Sequence, residues 1–300
     1  MSVLTRHPRY AVFLLCILLG TLFVLTTPTV PPNGFRPSAT RRFLHEEDLR
    51  YRDTLRGREW LVRKWGPTDA GVEPFPDPTS GEFYTLWDFF LPSFRCPHRV
   101  ERIGTLGDGG KWVCGLERLA AQPARPCTIY SFGLNGESSF EAALLERLPH
   151  CSVFGYDFSV AGFGPEVANA SASAARAHFF PYALAGADRP YAQPPAYTLQ
   201  ALMDANGHDF VDGAPRHPHA RRPAPPVLPV GQLQLEIHAW GEHGASFAAF
   251  RKWWERLEAA GLRPFHAEPN LVYVNLVRGA RPDLAEYSFM NIRGDHALVN

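Results

Sequence analysis

The chain has 300 residues, 45% of them hydrophobic, and its 30 basic and 30 acidic side chains give a formal net charge of zero. Such a chain can bury one core of about 200 residues. A neutral balance provides no field that would attract nucleic acid, and the basic cluster at 216–222 is short and interrupted by prolines. We therefore expect no nucleic-acid partner.

The N-terminus combines a short tail, residues 1–9, with an uncharged and mostly apolar run at residues 10–27. This run reaches the lower limit of length for a helix that spans a bilayer. Arg6 and Arg9 precede it, and basic residues before a span favour a type II orientation, with the rest of the chain in the lumen of the secretory pathway. We expect an uncleaved signal-anchor that binds the membrane; a cleaved signal and a secreted protein are the alternative.

Two segments connect this anchor to the predicted domain. Residues 28–42 are rich in proline and predict an extended stem. Residues 43–95 predict a helical lead-in, with apolar residues at helical spacing and a second, aromatic helix around 83–90 whose side chains we expect in the core. The domain is predicted at residues 96–300, and its first feature is a hairpin with a glycine-rich turn at 107–110.

The most informative stretch of the chain begins at Cys127. Cys127–Phe132 is short, β-branched and aromatic, which predicts a strand, and the glycines after it predict a tight turn. A serine-capped helix is predicted next, because apolar residues then recur at helical spacing. Val153–Tyr156 predicts a second strand, and Asp157 follows it directly. This order is that of a nucleotide-type binding half-site.

Asp157 lies about 20 residues beyond the glycines, where a doubly wound sheet presents a carboxylate to ribose hydroxyls. The spacing Gly-x-x-Gly differs from the Gly-x-Gly-x-x-Gly of dinucleotide sites, which disfavours a pyrophosphate ligand and favours S-adenosylmethionine as the cofactor. In the alternative interpretation, the glycines only make a turn and Asp157 only caps the next segment. The predicted cofactor-binding residues are Gly133, Leu134, Asn135, Gly136, Glu137 and Asp157.

The alternation of strands and helices continues after this half-site. A third strand is predicted near 179–186 and a helix at 198–206. The run 233–238 alternates with period two, which places Glu236 and His238 on one face. A carboxylate and an imidazole there could deprotonate a hydroxyl or an amine, so both are candidate catalytic residues; a polar strand face satisfied by neighbouring loops is the alternative.

The C-terminal part of the sequence predicts one helix and two strands. Residues 246–260 form an amphipathic pattern with Trp253 and Trp254 among the inward positions. Strands at 271–277 and 287–292 would form an antiparallel pair at the edge of the sheet.

Six short motifs between about residue 80 and the C-terminus occur together in one known family. They are Arg102–Gly104, Gly107–Cys114, Tyr130–Gly133, Gly155–Asp157, Gly231–His238 and Asn291–His296. With them the chain resembles the methyltransferase-like protein 24 family, whose members carry a Rossmann-like methyltransferase domain behind an N-terminal membrane anchor. The resemblance implies an α/β fold of the class I methyltransferase type with antiparallel closing strands, an N-terminal transmembrane helix, S-adenosylmethionine as cofactor and an unknown methyl acceptor.

One motif of that family is absent from the sequence. Its members have a hydrophobic strand ending in acid-x-glycine-acid before the Gln-Leu-Gln-Leu-Glu strand, whereas this chain carries the proline-rich tract 213–226. Prolines cannot donate the backbone hydrogen bonds of a central strand. We therefore expect a truncated or missing fourth strand, and a catalytically degenerate binding protein is the main alternative function. A lumenal glycosyltransferase is a weaker alternative, because the sequence has no Asp-x-Asp motif.

In the lumen, the cysteines could form disulfides and one sequon could be glycosylated. Cys127 and Cys151 begin adjacent predicted strands and could bond, but we favour two buried thiols that pack as small apolar groups. Asn169-Ala170-Ser171 could accept a glycan. Neither the cysteines nor the histidines of the proline-rich tract have the spacing of a metal site, so none is predicted.

Overall fold

The structure is a computed structural model, and it describes the residue ranges that follow: 38–66, 68, 71–72, 84–107, 109–211, 228–238, 246–269 and 284–300. The predicted anchor at 10–27 and the predicted strand at 271–277 lie outside these ranges, as does the proline-rich tract. Within them, no helix combines the length and the apolar character needed to cross a membrane. Ser38–Asn300 form one unit.

Helices and strands alternate along the described chain. The helices are α1 Ala39–Trp65, α2 Leu116–Ala120, α3 Ser139–Arg147, α4 Pro165–Ala168, α5 Ser171–Ala174, α6 Leu199–Asn206 and α7 Phe247–Ala259, with a 3-10 helix at Tyr84–Asp88. The strands are β1 Val100–Ile103, β2 Lys111–Cys114, β3 Cys127–Phe132, β4 Cys151–Tyr156, β5 Ala177–Phe180, β6 Ala183–Leu184, β7 Ala196–Tyr197, β8 Gln232–His238, β9 Leu262–Pro269 and β10 Leu284–Asn291.

Two three-stranded sheets lie at the centre of the fold. In the first, β4 pairs with β3 and β5, and all three strands are parallel. In the second, β10 lies between β8 and β9 and is antiparallel to both. The parallel sheet with its intervening helices confirms the predicted mixed α/β class, and β10 confirms the predicted strand at 287–292. β1 and β2 form the predicted antiparallel hairpin.

The seam between the two sheets lies where the fourth strand was expected. A single parallel bridge joins Val211 to Val230 there, and the N–H of Val211 donates to the carbonyl oxygen of Pro229 at 2.8 Å. A cavity of about 60 Å³ separates Ile129 on β3 from Gln232 on β8. Among the residues that the structure describes, no strand fills this gap.

Helix α1 is part of the core rather than a separate appendage. It starts after Ser38, whose side chain accepts from a backbone N–H in the first turn. Arg58 is only 5% exposed and bonds Glu258 of α7 at 2.6 Å, and the hydroxyl of Tyr51 donates to the same carboxylate at 2.7 Å. Removing one partner of such a buried pair costs about 3–5 kcal/mol, so α1 is firmly bound to α7.

The aromatic residues before β1 lie in the core, as predicted. Phe89 and Phe90 are buried, and the ring of Phe90 lies 4.9 Å from that of Phe250 and 5.0 Å from that of Trp254. The prediction that Trp253 also points inward is wrong, since it is 36% exposed. Adjacent residues of a helix point in different directions, and Trp254 takes the inward position.

The structure contains the disulfides Cys96–Cys114 and Cys127–Cys151, and the second corrects our expectation of two free thiols. The parallel register places Cys127 directly beside Cys151, with their Cα atoms 4.4 Å apart. This spacing lies at the short end of the range that a disulfide requires. A sequence pattern locates a strand but does not fix its register to one residue, and a one-residue shift would have separated the two side chains.

Strand β9 has no counterpart among our predictions. It contains two prolines, which argue against a strand by pattern alone. Pro264 lies opposite Phe289, beside the register shift between Ser288 and Phe289, and β9 is the outer strand of its sheet. Bulges and edge strands are the places where a missing backbone donor is tolerated.

Candidate functional site

A cleft of about 520 Å³ lies between the two sheets. Its first wall is formed by the end of β3 and the glycine turn after it, and its second wall by β8, while Gly109 and Lys111 of the hairpin close one side. The residues of the turn that line the cleft are Gly133, Leu134, Asn135 and Glu137. Ligands of open α/β sheets bind at the carboxyl ends of the parallel strands. The cleft therefore occupies the place where the predicted cofactor-binding residues were expected to act.

The glycine turn has an unusual backbone conformation. Gly133, Asn135 and Gly136 have φ angles of 73°, 48° and 76°, in the left-handed region that costs other residues about 1–2 kcal/mol each. A Cβ atom built on Gly133 would meet no protein atom within 4 Å. The backbone conformation therefore requires glycine there, and the open space beside Gly133 belongs to the cleft.

Asp157 holds this turn in place from behind. One carboxylate oxygen accepts the N–H of Asn135 at 2.8 Å, and the other accepts the N–H and the hydroxyl of Ser159 at 2.7 and 2.6 Å. Burial by itself raises the pKa of Asp157, but the hydrogen bonds from Ser159 and Asn135 outweigh burial and hold that pKa below its ordinary value. Asp157 is 5% exposed and orders the backbone that lines the cleft.

Two further contacts fix the end of the turn. Ser138 occupies the N-cap position of α3, but its hydroxyl accepts the N–H of Gly164 at 2.9 Å instead of a helical N–H. The N–H of Ser138 donates to Glu166 at 3.2 Å. A Cβ on Gly164 would lie 2.5 Å from the carbonyl oxygen of Gly136, so only glycine permits this close approach.

Two charged residues that line the cleft were not predicted from the sequence. Glu141, in the first turn of α3, is 4% exposed, lines the cleft and accepts the hydroxyl of Ser131. Burial raises the pKa of Glu141 above its ordinary value. Lys111 also lines the cleft, and its Nζ lies 2.9 Å from Glu286. An acid in a first helical turn usually just complements the helix dipole, so the pattern gave no reason to single out Glu141.

The candidate catalytic pair is brought together as its spacing predicts. His238 Nε2 lies 2.8 Å from Glu236 Oε1, on the same face of β8. Glu236 lines the cleft, and the His238 side chain is 47% exposed beside it. A carboxylate that bonds an imidazole fixes the orientation of the ring.

A row of three glutamates crosses the second sheet. The strand register places Glu236 beside Glu286 and Glu286 beside Glu268. Trp112 donates its indole N–H to Glu268 at 2.8 Å. The ammonium group of Lys111 bonds Glu286 and compensates its negative charge. Burial raises the pKa of Glu286, the charges of Glu236 and Glu268 raise it further, and Lys111 opposes the shift. No sequence pattern reveals this row, because it depends on two registers at once.

One group of potential metal ligands occurs among the described residues. Cys127, His150 and Cys151 have ligand atoms within 4.8 Å of one another. The two sulfurs are bonded to each other, however, and a disulfide offers no thiolate to a metal. This group is therefore a disulfide with a histidine beside it.

Residues 74–206 match a family model described as a methyltransferase domain. The matched part includes the hairpin, the parallel sheet, the glycine turn and Asp157, and it ends with α6, before the proline-rich tract. Over these residues the chain is similar to methyltransferase domains. This confirms the broader part of the resemblance found in the sequence. None of the curated proteins compared with the chain matches it.

Proposed function

We propose that the protein is an S-adenosylmethionine-dependent methyltransferase. The observation that carries this proposal is the glycine turn at the end of β3, which is fixed from behind by Asp157 and opens onto the cleft. The matched methyltransferase domain supports the reaction class.

The cleft has the chemistry that this cofactor requires. Bound S-adenosylmethionine supplies a methyl group on a positively charged sulfur. Glu137 places negative charge at the cleft wall, which favours a cationic ligand. We assign the aminoacyl part of the cofactor to Gly133–Glu137, with Lys111 near its carboxylate, and the ribose to the side of the turn that Asp157 holds.

Glu236 and His238 are assigned to the methyl acceptor. Glu236 lines the second wall, across the cleft from the glycine turn, and His238 bonds it from beside the cleft. A hydroxyl or amine acceptor must lose a proton, and the hydrogen-bonded pair provides a base whose orientation is fixed.

We also propose that the domain faces the lumen of the secretory pathway, anchored through residues 10–27. Two disulfides support this location, because disulfides persist in oxidising compartments and are rare in the cytosol. The apolar run at 10–27, with basic residues before it, supports the anchor.

Calorimetric titration of the unit Ser38–Asn300 tests the cofactor assignment. We expect micromolar binding of S-adenosylmethionine and of its demethylated product, since both share the groups that the glycine turn would hold. A folded unit that binds neither would refute the proposal. Circular dichroism on the same sample verifies that the unit is folded.

A binding protein without transferase activity is the second candidate. The gap between β3 and β8 favours it, because a wall strand of the sheet is not seen among the described residues. Incubation of the full chain, S-adenosylmethionine and a lumenal extract separates the two. Accumulation of demethylated product above that of the Glu236→Gln variant supports the enzyme, whereas tight binding without any product supports the second candidate.

A further inference from the structure

The segment between β4 and β5 carries a motif that the cleft does not use. Asn169-Ala170-Ser171 fits the pattern Asn-x-Ser/Thr, with a residue other than proline in the middle, and it is the one such sequon in the 300-residue sequence. We propose that Asn169 is a site of N-linked glycosylation. The proposal rests on the lumenal location suggested above and is independent of methyl transfer.

Asn169 lies where a glycan can be attached without disturbing the fold. It is the C-cap residue of the four-residue helix α4, and its side chain is exposed. The short helices α4 and α5 pack on α3 from the outside. Addition at an exposed turn between two short helices displaces no buried group.

The exposed side chains next to Asn169 are small, and Glu166 earlier in the same helix is the charged residue nearest in sequence. Ala168, Ala174 and Ala175 are exposed on the same segment. Alanine side chains leave room for the first sugar residues and offer no charge that must be desolvated when a glycan covers them. A glycan would shield this group of exposed methyl groups from water.

The cleft lies elsewhere on the domain. Its lining residues come from the hairpin, from the region of β3 and α3, and from residues beyond β5, and none lies between Tyr156 and Phe180. A glycan on Asn169 therefore leaves the proposed cofactor site open, and cofactor affinity is expected to be the same with and without it.

The attachment is a simple group transfer. The side-chain nitrogen Nδ2 of Asn169 attacks the anomeric carbon of an oligosaccharide linked to a lipid pyrophosphate. A carbon–nitrogen bond forms, the bond from that carbon to the pyrophosphate oxygen breaks, and the amide proton leaves with the lipid pyrophosphate. The hydroxyl residue two positions later, Ser171, completes the acceptor sequence.

The test uses the full chain expressed in a eukaryotic cell line, with a reporter sequon on a flexible C-terminal tag. Peptide-N-glycosidase digestion in heavy-oxygen water converts a glycosylated asparagine to a labelled aspartate, which mass spectrometry assigns to a residue. Three variants accompany the wild type: Asn169→Gln, Ser171→Ala and the conservative Ser171→Thr. The tag alone reports entry of the C-terminal side into the lumen.

We expect a labelled aspartate at position 169 in the wild type and in Ser171→Thr, and none in Asn169→Gln or Ser171→Ala. A labelled tag without label at Asn169 would show that the residue is not a site. If neither position is labelled, the domain does not enter the lumen, and the proposal fails together with the lumenal location. Cofactor binding, measured separately by calorimetry, is unaffected by either failure.

Discussion

The two walls of the cleft are built in opposite ways. The glycine turn faces the cleft largely with backbone, and carboxylates behind it fix its conformation: Asp157 bonds Asn135, and Glu166 bonds Ser138. The wall formed by β8 instead presents side chains, including Glu236 next to the charges of Lys111 and Glu286. The first wall is preorganised, whereas the second is defined by charge.

Mutations on the two walls should affect stability and cofactor affinity differently. On the first wall, one contact both stabilises the fold and shapes the site, so stability and cofactor affinity should fall together. On the second wall, a side chain can be changed without moving the backbone, so the two quantities should separate. A variant of the first wall that lost only stability would break the comparison.

The largest effect is expected for Asp157→Ala. It removes the carboxylate that accepts the N–H groups of Asn135 and Ser159, and a hydrogen bond to a charged group contributes about 1.5–3 kcal/mol. We expect a loss of about 2–4 kcal/mol in urea unfolding and cofactor binding weakened at least about tenfold, which corresponds to 1.4 kcal/mol. Asp188→Ala is the matched control, because exposed Asp188 also accepts a backbone N–H, from Thr198. It should leave the affinity unchanged.

Removal of the disulfide in the first sheet comes next. The pair Cys127→Ala and Cys151→Ala opens a loop, with a sequence separation of 24, that contains the glycine turn. We expect a loss of about 2–4 kcal/mol in unfolding free energy and weaker cofactor binding. The pair Cys96→Ala and Cys114→Ala, with a separation of 18, is the comparison and should lower affinity less, because its loop brings Gly109 and Lys111 to the cleft but not the glycine turn. Equal loss of affinity in both pairs would argue against a special role of the first wall.

A smaller effect is expected for Gly133→Ala. The φ angle of 73° costs an alanine about 1–2 kcal/mol, and the new methyl group would project into the open space of the cleft. Affinity should therefore fall more than stability. Gly162→Ala is the control, because its Cβ also meets nothing within 4 Å but its φ is not in the left-handed region. Equal behaviour of the two variants would contradict the proposed ligand position.

The smallest effect is expected on the second wall, for Glu286→Gln. Because the folded-state pKa of Glu286 is raised, the folded protein binds more protons than the unfolded chain between the ordinary and the raised pKa. The wild type therefore loses stability as pH rises through this interval. Unfolding measured at several pH values should show that the free energy of unfolding of the variant rises relative to that of the wild type as pH increases. Cofactor affinity should be unchanged. Lys111→Met should make the loss of stability with rising pH steeper, since it removes the cation that opposes the rise in the pKa of Glu286.

The first wall is also the part that the sequence made predictable. The strand Cys127–Phe132, the turn, the helix and Asp157 follow one another within about 30 residues, and each has a local signal: glycines for the turn, a change of period for the helix. Local patterns decide local structure. The contact between Asp157 and Asn135 nevertheless changes the interpretation, because the carboxylate that was predicted to face ribose hydroxyls accepts a backbone N–H of the turn.

The second wall depends on information that a sequence does not carry locally. Glu236, Glu286 and Glu268 meet through two strand registers, and β9 contains prolines that a bulge and an edge position tolerate. For the same reason the sequence did not decide between a bond and two free thiols at Cys127 and Cys151, because the bond needs a parallel register correct to one residue. Contacts between distant segments are decided by packing of the whole domain.

The buried pair Arg58 and Glu258 also constrains how the protein is made. The two residues are 200 positions apart, and Tyr51 depends on the same carboxylate. During synthesis, α1 leaves the ribosome long before its partner exists, and contacts of such long range form slowly. Arg58 on α1 therefore cannot pair with Glu258 until α7 has been translated.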